Sequence, residues 1–316
     1  MKKNSIPRKE HYVPVFYLNF FGRSAGAKSF VVSVYDKVRR IPIDNVNTKK
    51  ICCEKDFYDL DGKNEAKINK SIDAHYARYL SEIIERGSIN NLTFEERTFI
   101  SDWMVRQLVR TKIIRDRLVE RLKIIEKANL KELPPLDDES YKTLAINNQL
   151  KLLSHHDIKM IDSIRYGTWL LLKNESDELF YTCDNPVMKF TDFRPSILYK
   201  MLVDEERLTW IYLVSPRLCL VAISLGESLN KFIQLNITTN LDGTKRDTVQ
   251  FLNSLVIRNA GRWIISQSAD FSFAHSYLAE LDRKGRQPKP YFEIEENKQK
   301  IEAFIQKLKE KEKLLS

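Results

Sequence analysis

The sequence predicts an α+β fold: a helical N-terminal half carrying an anchoring extended segment, and a mainly antiparallel sheet in the C-terminal half. Three observations carry that expectation. An aromatic N-terminal stretch leads into a single β-branched run, the middle third is written at helical spacing, and the remainder consists of short apolar runs between turn residues. Strands and helices segregate along the chain, with no regular alternation that would call for a parallel sheet.

The anchor is His11-Tyr12-Val13-Pro14-Val15-Phe16-Tyr17-Leu18-Asn19-Phe20, ten residues with four aromatics. Disordered leaders are poor in aromatic and β-branched residues, so this stretch is expected to pack. Pro14 biases Val13 to an extended conformation. Gly22 to Lys28 reads as a turn-rich loop, and Ser29 to Asp36 as a strand. Irregular chain is expected to about Lys63, with Tyr58 buried in it. From Ala66 to Arg86, Ile68, Ile72, His75, Tyr79 and Ile83 recur at helical spacing, which makes His75 a core histidine. Gly87 ends that helix.

Thr93-x-x-Glu96 is a capping box opening the longest helical pattern, through Ile100, Met104, Gln107, Thr111, Ile114, Leu118, Leu122 and Ile125. Gln107 and Thr111 occupy places where the stripe asks for apolar side chains, and Arg110 flanks them. Buried polar groups are costly unless bonded, so this turn is a hydrogen-bond node or the wall of a polar pocket. The stretch Leu133 to Asp138 breaks the pattern, and a short helix is expected from Tyr141 to His155. Gly167–Lys173 and Glu178–Cys183 read as a hairpin around residues 174–177, and Thr209–Val214 with Leu218–Ile223 as a second. A helix starting at Thr244 and Asp247 carries Val249, Leu252 and Val256 and closes at Gly261. Arg262 to Ser266 reads as a last strand. Residues 1–282 are expected to form one α+β domain, helix-rich over 60–160 and strand-rich over 165–270. Residues 283–316 are read as a basic linker and a charged helix with the stripe Ile301, Phe304, Ile305 and Leu308.

The chain has 316 residues, 43% hydrophobic and 30% charged, enough for a sizeable core. Its net charge of +9 fits an acidic partner such as nucleic acid without requiring one. No apolar run approaches a membrane span, and the start lacks the apolar stretch of a signal peptide. The four cysteines, Cys52, Cys53, Cys183 and Cys219, fit neither a disulfide framework nor a zinc site. A reduced cytoplasmic protein is expected. There is no Gly-rich phosphate loop and no dinucleotide fingerprint, so no cofactor is expected. His155-His156-Asp157 is the single histidine cluster, and adjacent side chains diverge, so no metal site is expected.

The run His11-Tyr12-Val13-Pro14-x-Phe16-Tyr17-Leu18 resembles the opening signature of a bacterial family catalogued as domain of unknown function 4238. Similar blocks follow at Val34-Tyr35-Asp36-Lys37, Asp56-Phe57-Tyr58, Arg106-Gln107 through Arg110-Thr111, and Asp184-Asn185-Pro186-Val187, with an echo at Asn253 and Arg262. Val15 stands where a glutamine is usual, and Cys183 where a serine or threonine is usual. The resemblance marks residues to watch and implies no activity.

The candidate catalytic residues are His11, Arg110 and Asp184, with Gln107 and Asn185 as substrate-binding residues. Histidine titrates near neutrality and can move a proton. Arginine offers a planar fork to a phosphate. Asp184-Asn185 before Pro186 forms a rigid strand exit that presents a carboxylate and an amide, and it is equally ordinary turn vocabulary. The leading expectation is a metal-independent phosphodiester hydrolase acting on RNA. The resemblance to a bacterial family suggests a toxin or defence effector. The alternatives are a non-catalytic module binding an anionic ligand, or a protein partner through the C-terminal helix, and a hydrolase or transferase of free nucleotides. The three polar blocks are expected to bring His11, Gln107, Arg110 and Asp184 around one pocket, with His11 and Asp184 near enough for at most one bridging water.

Overall fold

The N-terminal anchor is extended only as far as strand β1 (Lys9–His11), after which it coils into helix α1 (Val15–Phe20). Pro14, at φ −61° and ψ 142°, sits at the N-cap, where its missing N–H costs nothing. The computed structural model describes residues 9–27, 29–58, 65–127, 136–154, 157–191, 208–224, 236–241 and 246–286. Tyr12, Val13, Tyr17 and Leu18 are buried, while Phe16 and Phe20 are only partly so. A helical turn places one side of the segment on the core; an extended chain would have divided the aromatics differently.

Beyond β2 (Arg23–Ser24), the β-branched run forms β3 (Phe30–Asp36). The segment after it, read as irregular, contains β4 (Ile41–Asn47), a 3₁₀ turn (Thr48–Lys50) and β5 (Cys53–Lys55). β4 lies largely at the surface, so it lacks the apolar alternation that marks a half-buried strand.

Helix α2 (Glu65–Arg86) ends at Gly87, whose φ of +56° suits a residue without Cβ. His75 is exposed; the buried side of this helix is Tyr76, Leu80 and Ile83. The expected core histidine is therefore a surface one, the stripe having been drawn one residue off. The capping box is present, with the Thr93 hydroxyl 3.2 Å from Glu96 N and the Glu96 carboxylate 2.7 Å from Thr93 N. It opens α3 (Phe94–Val109).

The long helix expected from Thr93 to Ile125 is two helices. The chain breaks at Arg110-Thr111 and resumes as α4 (Lys112–Lys127). Carbonyls released by the break are taken up by Gln149, whose amide nitrogen donates to Val109 O at 2.8 Å and Thr111 O at 3.0 Å. The same glutamine's oxygen accepts from Arg115. Gln149 belongs to α5 (Asp138–Ser154), which precedes α6 (Ile158–Arg165). The breaking signal is thus a tertiary partner about forty residues downstream, which no local reading contains.

The strand-rich half holds β6 (Thr168–Asn174), β7 (Thr182–Cys183), β8 (Val187–Thr191), β9 (Leu208–Ser215), β10 (Leu218–Ile223), β11 (Asn236–Leu241) and β12 (Trp263–Ser266). One sheet runs β11-β6-β10-β9-β8, antiparallel except where β11 pairs β6. A second runs β2-β3-β12-β7, with β4 on β3, and β1 pairs β5 in a two-stranded ribbon. The fold is α+β. The β9–β10 hairpin is as expected, but the one read over 167–183 does not form. Between β6 and β7 the backbone takes other partners, Phe180 N bonding Pro216 O and Tyr181 N bonding the Asn253 side chain. β7 crosses to β12 instead.

Helix α7 (Arg246–Asn259) and helix α8 (Ser272–Arg283), the latter not foreseen, complete the described chain. The expected helix beyond residue 286, His155-His156 and Thr244 lie outside the described residues. Trp103, Trp169, Trp210, Tyr17 and Tyr212 are fully buried. The Tyr17 ring stacks on Tyr212 at 5.2 Å, and its hydroxyl donates to Leu213 O and meets the Thr182 hydroxyl, each at 2.6 Å. The anchor thereby touches both larger sheets.

Candidate functional site

The five marked blocks converge in two places. In the first, the Arg110 turn closes over the N-terminal segment. Gln107 Nε2 donates to Tyr12 O at 3.0 Å, and the Tyr58 hydroxyl lies 3.2 Å from Arg110 O and 3.5 Å from His11 O. Polar side chains interrupt the stripe of α3 because a strand exit with unsatisfied carbonyls lies against it. The Arg110 guanidinium is only 5% exposed and points to Asp73, Nη1 to Oδ1 3.1 Å. Burial works against its charge, but Asp73 prevails and the guanidinium titrates above its usual range.

His11 ends β1 and is half-buried. Its Nε2 lies 3.3 Å from Lys49 O. A carbonyl only accepts, so Nε2 carries the proton and Nδ1 keeps the lone pair. Burial lowers the imidazole pKa, and the charges of Arg110 and Lys9 push the same way against the Lys49 bond. At neutral pH the ring is uncharged and able to take a proton.

In the second place, Asp184 and Asn185 grip the turn between α7 and β12. Asp184 Oδ1 accepts from Gly261 N at 2.8 Å, and Oδ2 from Arg262 N at 2.8 Å and Trp263 N at 3.2 Å. A Cβ on Gly261 would lie 3.3 Å from Asp184 Oδ2 and 3.1 Å from Ile113 of α4, so the bare glycine permits the close approach. Burial raises the Asp184 pKa, with the three amides and Lys37 opposing. Asn185 and Asn259 bond reciprocally, Nδ2 of each to an oxygen of the other. Asp36 and Lys37 arrive at the same turn. Asp36 accepts from Arg262 at 2.8 Å, and Lys37 donates to the carbonyls of Ala260 and Arg258. Burial brings the Lys37 ammonium down to about 8.

His11, Gln107 and Arg110 are therefore brought together through Tyr58 and Tyr12, and Asp184 with Asn185 forms a separate node. No hydrogen bond joins His11 to Asp184. Sequence reasoning missed Asp73, Lys37 as the partner of the Asp184 turn, and Cys53, which faces His11 across the ribbon. The spacing His11 to Cys53 holds no local signal; the pairing is visible only once the ribbon forms.

A cleft of about 560 Å³ elsewhere is lined by Glu175, Asp177, Glu178 and Asp270 with Arg246 as a cation. Its carboxylates would repel a phosphate backbone. Among the described residues no helix is long and apolar enough to cross a membrane.

These features define an α+β fold in which the aromatic N-terminal anchor is bonded to a broken helix, while a buried aspartate turn forms a node of its own. The chain belongs to the family described as protein of unknown function (DUF4238), whose match covers residues 9–270. No curated protein and no solved structure matches it.

Proposed function

We propose that the protein is a metal-independent phosphodiester hydrolase acting on RNA in the cytoplasm, working from the outer face of the β1–β5 ribbon as a toxin or defence effector. The observation that supports this reading is the half-buried imidazole of His11, fixed through Nε2 to Lys49 O on a face it shares with Lys9 and Lys55. Alternation along the paired strands puts Lys9, His11, Cys53 and Lys55 on one face and Glu10 with Glu54 on the other. Glu10 is indeed 1% exposed and accepts from Tyr58 N, while Lys9 and Lys55 are exposed. Lysines draw a phosphate to the ring. His11 then takes the proton of a ribose 2′-hydroxyl as that oxygen attacks phosphorus and the 5′-oxygen departs, protonated from water. Tyr58 reaches the carbonyls of His11 and Arg110 and Gln107 donates to that of Tyr12, holding the segment from beneath, and Asp184 and Asn185 keep the frame.

The test is a labelled RNA oligonucleotide incubated with the full chain in chelator. Fragments ending in 2′,3′-cyclic phosphate are expected, with His11→Ala slowing their appearance by about a hundredfold or more, as for a positioned base. Intact RNA under these conditions defeats the reading, as does cleavage unchanged by the substitution.

A second reading, a module binding an anionic ligand without chemistry, is favoured by a different observation. Trp103 Nε1, Gln107 Oε1, Arg110 Nε and the Tyr212 hydroxyl are buried with no hydrogen-bond partner among the described residues. The Trp103 and Tyr212 rings are 5.1 Å apart, and Gln107 lies one helical turn beyond Trp103. Buried polar atoms of this kind call for water or a ligand. A bound small anion recovered in the mass spectrum of the native protein, with no RNA cleavage, would favour this second reading.

A further inference from the structure

The outer face of the ribbon carries more than an imidazole. The strand register sets His11 directly opposite Cys53. Directly opposed residues of an antiparallel pair project from the same face with Cβ atoms about 4.5–5.5 Å apart. Both side chains turn to one acceptor, His11 Nε2 at 3.3 Å and Cys53 Sγ at 3.9 Å from Lys49 O. Of the chain's four cysteines, Cys52, Cys183 and Cys219 are buried and Cys53 is not. Cys53 is thus the thiol that a solute can reach. Burial raises its pKa, with Lys9 opposing, so thiol and imidazole both rest uncharged at neutral pH.

We propose that Cys53 and His11 form a nucleophile–base pair that takes the acyl group of a small ester or thioester carrying a negative charge. As the Cys53 sulfur bonds to the acyl carbon, its proton passes to the unprotonated ring nitrogen of His11. The carbon–oxygen or carbon–sulfur bond of the substrate breaks, and the imidazolium returns the proton to the departing atom. Water, giving a proton to the same ring, then attacks the acyl-thioester and releases the acid and the free thiol. No oxidant or metal enters this cycle. The charge preference comes from Lys9 and Lys55, the next opposed pair on the same face. The nucleophile, held as a thiol by burial, depends on the adjacent base to take its proton as it attacks. This activity shares His11 with the phosphodiester reading but does not rest on RNA being a substrate.

The experiment uses the full chain with 4-nitrophenyl acetate and its succinate half-ester. A burst of about one nitrophenolate per chain is expected, as for an acyl-enzyme, with the acyl group found on the Cys53 peptide by mass spectrometry. The succinate ester should react faster, and Cys53→Ser should abolish the burst. His11→Gln should slow acylation on the order of a hundredfold, the contribution of a positioned base. In the unmodified chain, which needs no variant to fold, the acylation rate should fall as pH drops through the lowered titration of His11. Acylation no faster than that of free cysteine at the same pH overturns the proposal. So does an acyl group on another residue, or an unchanged rate in a folded His11→Gln chain. RNA cleavage is scored separately, so the failure of either activity is read without the other.

Discussion

Arg110 and Asp73 form an ion pair, 3.1 Å from Nη1 to Oδ1, in which the arginine is buried and the aspartate side chain keeps 22% of its exposure. The guanidinium that a phosphate would need is thus already occupied from within the chain. Asp73→Asn leaves a buried cation without its counter-charge. A loss of about 3 kcal/mol is expected, at the lower end for removing one partner of a buried pair because Asp73 is not fully enclosed. Urea denaturation measures it, and a loss below about 1 kcal/mol, the range of exposed pairs, would show Arg110 to be free for other partners.

Asp184→Asn is expected to destabilise by about 3 kcal/mol, because an amide has one oxygen where the carboxylate serves three N–H groups. A purely catalytic aspartate would behave differently, its substitution leaving stability within about 1 kcal/mol. Thermal melts of the two proteins at pH 7 decide between the node and the acid.

His11 should titrate below its ordinary value of 6.5 when followed by NMR. The folded state then binds fewer protons than the unfolded one between that lowered pKa and 6.5, so stability rises with pH through this window and is lost on acidification. His11→Gln should flatten that part of the stability profile. A histidine titrating at or above 6.5 would remove the case for a neutral base.

Lys37 works at the alkaline end. Its ammonium, brought down to about 8 from 10.5, loses its proton in the folded chain before the unfolded one does. Stability contributed through Lys37 therefore increases between roughly pH 8 and the unfolded value. Lys37→Met should abolish that increase in denaturation curves taken across the range, and an unaltered slope would assign it to other groups.

Much of the architecture was legible because local chemistry and tertiary structure agree. The Thr93–Glu96 capping box, the Gly87 stop and the β9–β10 turn at Ser215-Pro216-Arg217 each act over a few residues. Two of the misreadings share a cause in distance. Gln149 decides that a helix breaks at Arg110, and Asn253 takes the amide that would have extended a hairpin at Tyr181. The candidate residues follow the same division. Gln107 and Arg110 stood out as polar groups in an apolar stripe, and both are buried and bonded. What they bond to, a carbonyl at Tyr12 and a carboxylate at Asp73, has no trace in the spacing. Cys53 was unremarked because its meaning lies across a ribbon formed by residues more than forty positions apart.

The Tyr17 hydroxyl ties residues 165 and 196 positions further along the chain. During synthesis its partners, Thr182 and Leu213, emerge long after it. At about 5–20 residues per second, the ribosome needs on the order of 10–40 s to deliver them after the anchor has left the exit tunnel. Throughout that interval an aromatic segment built to be enclosed has nothing to enclose it. Early seating against the wrong surface, or against another nascent chain, competes with the native outcome. The anchor is made well before the residues that enclose it, so the yield of folded protein should respond to translation speed and to chaperones that shelter this aromatic segment.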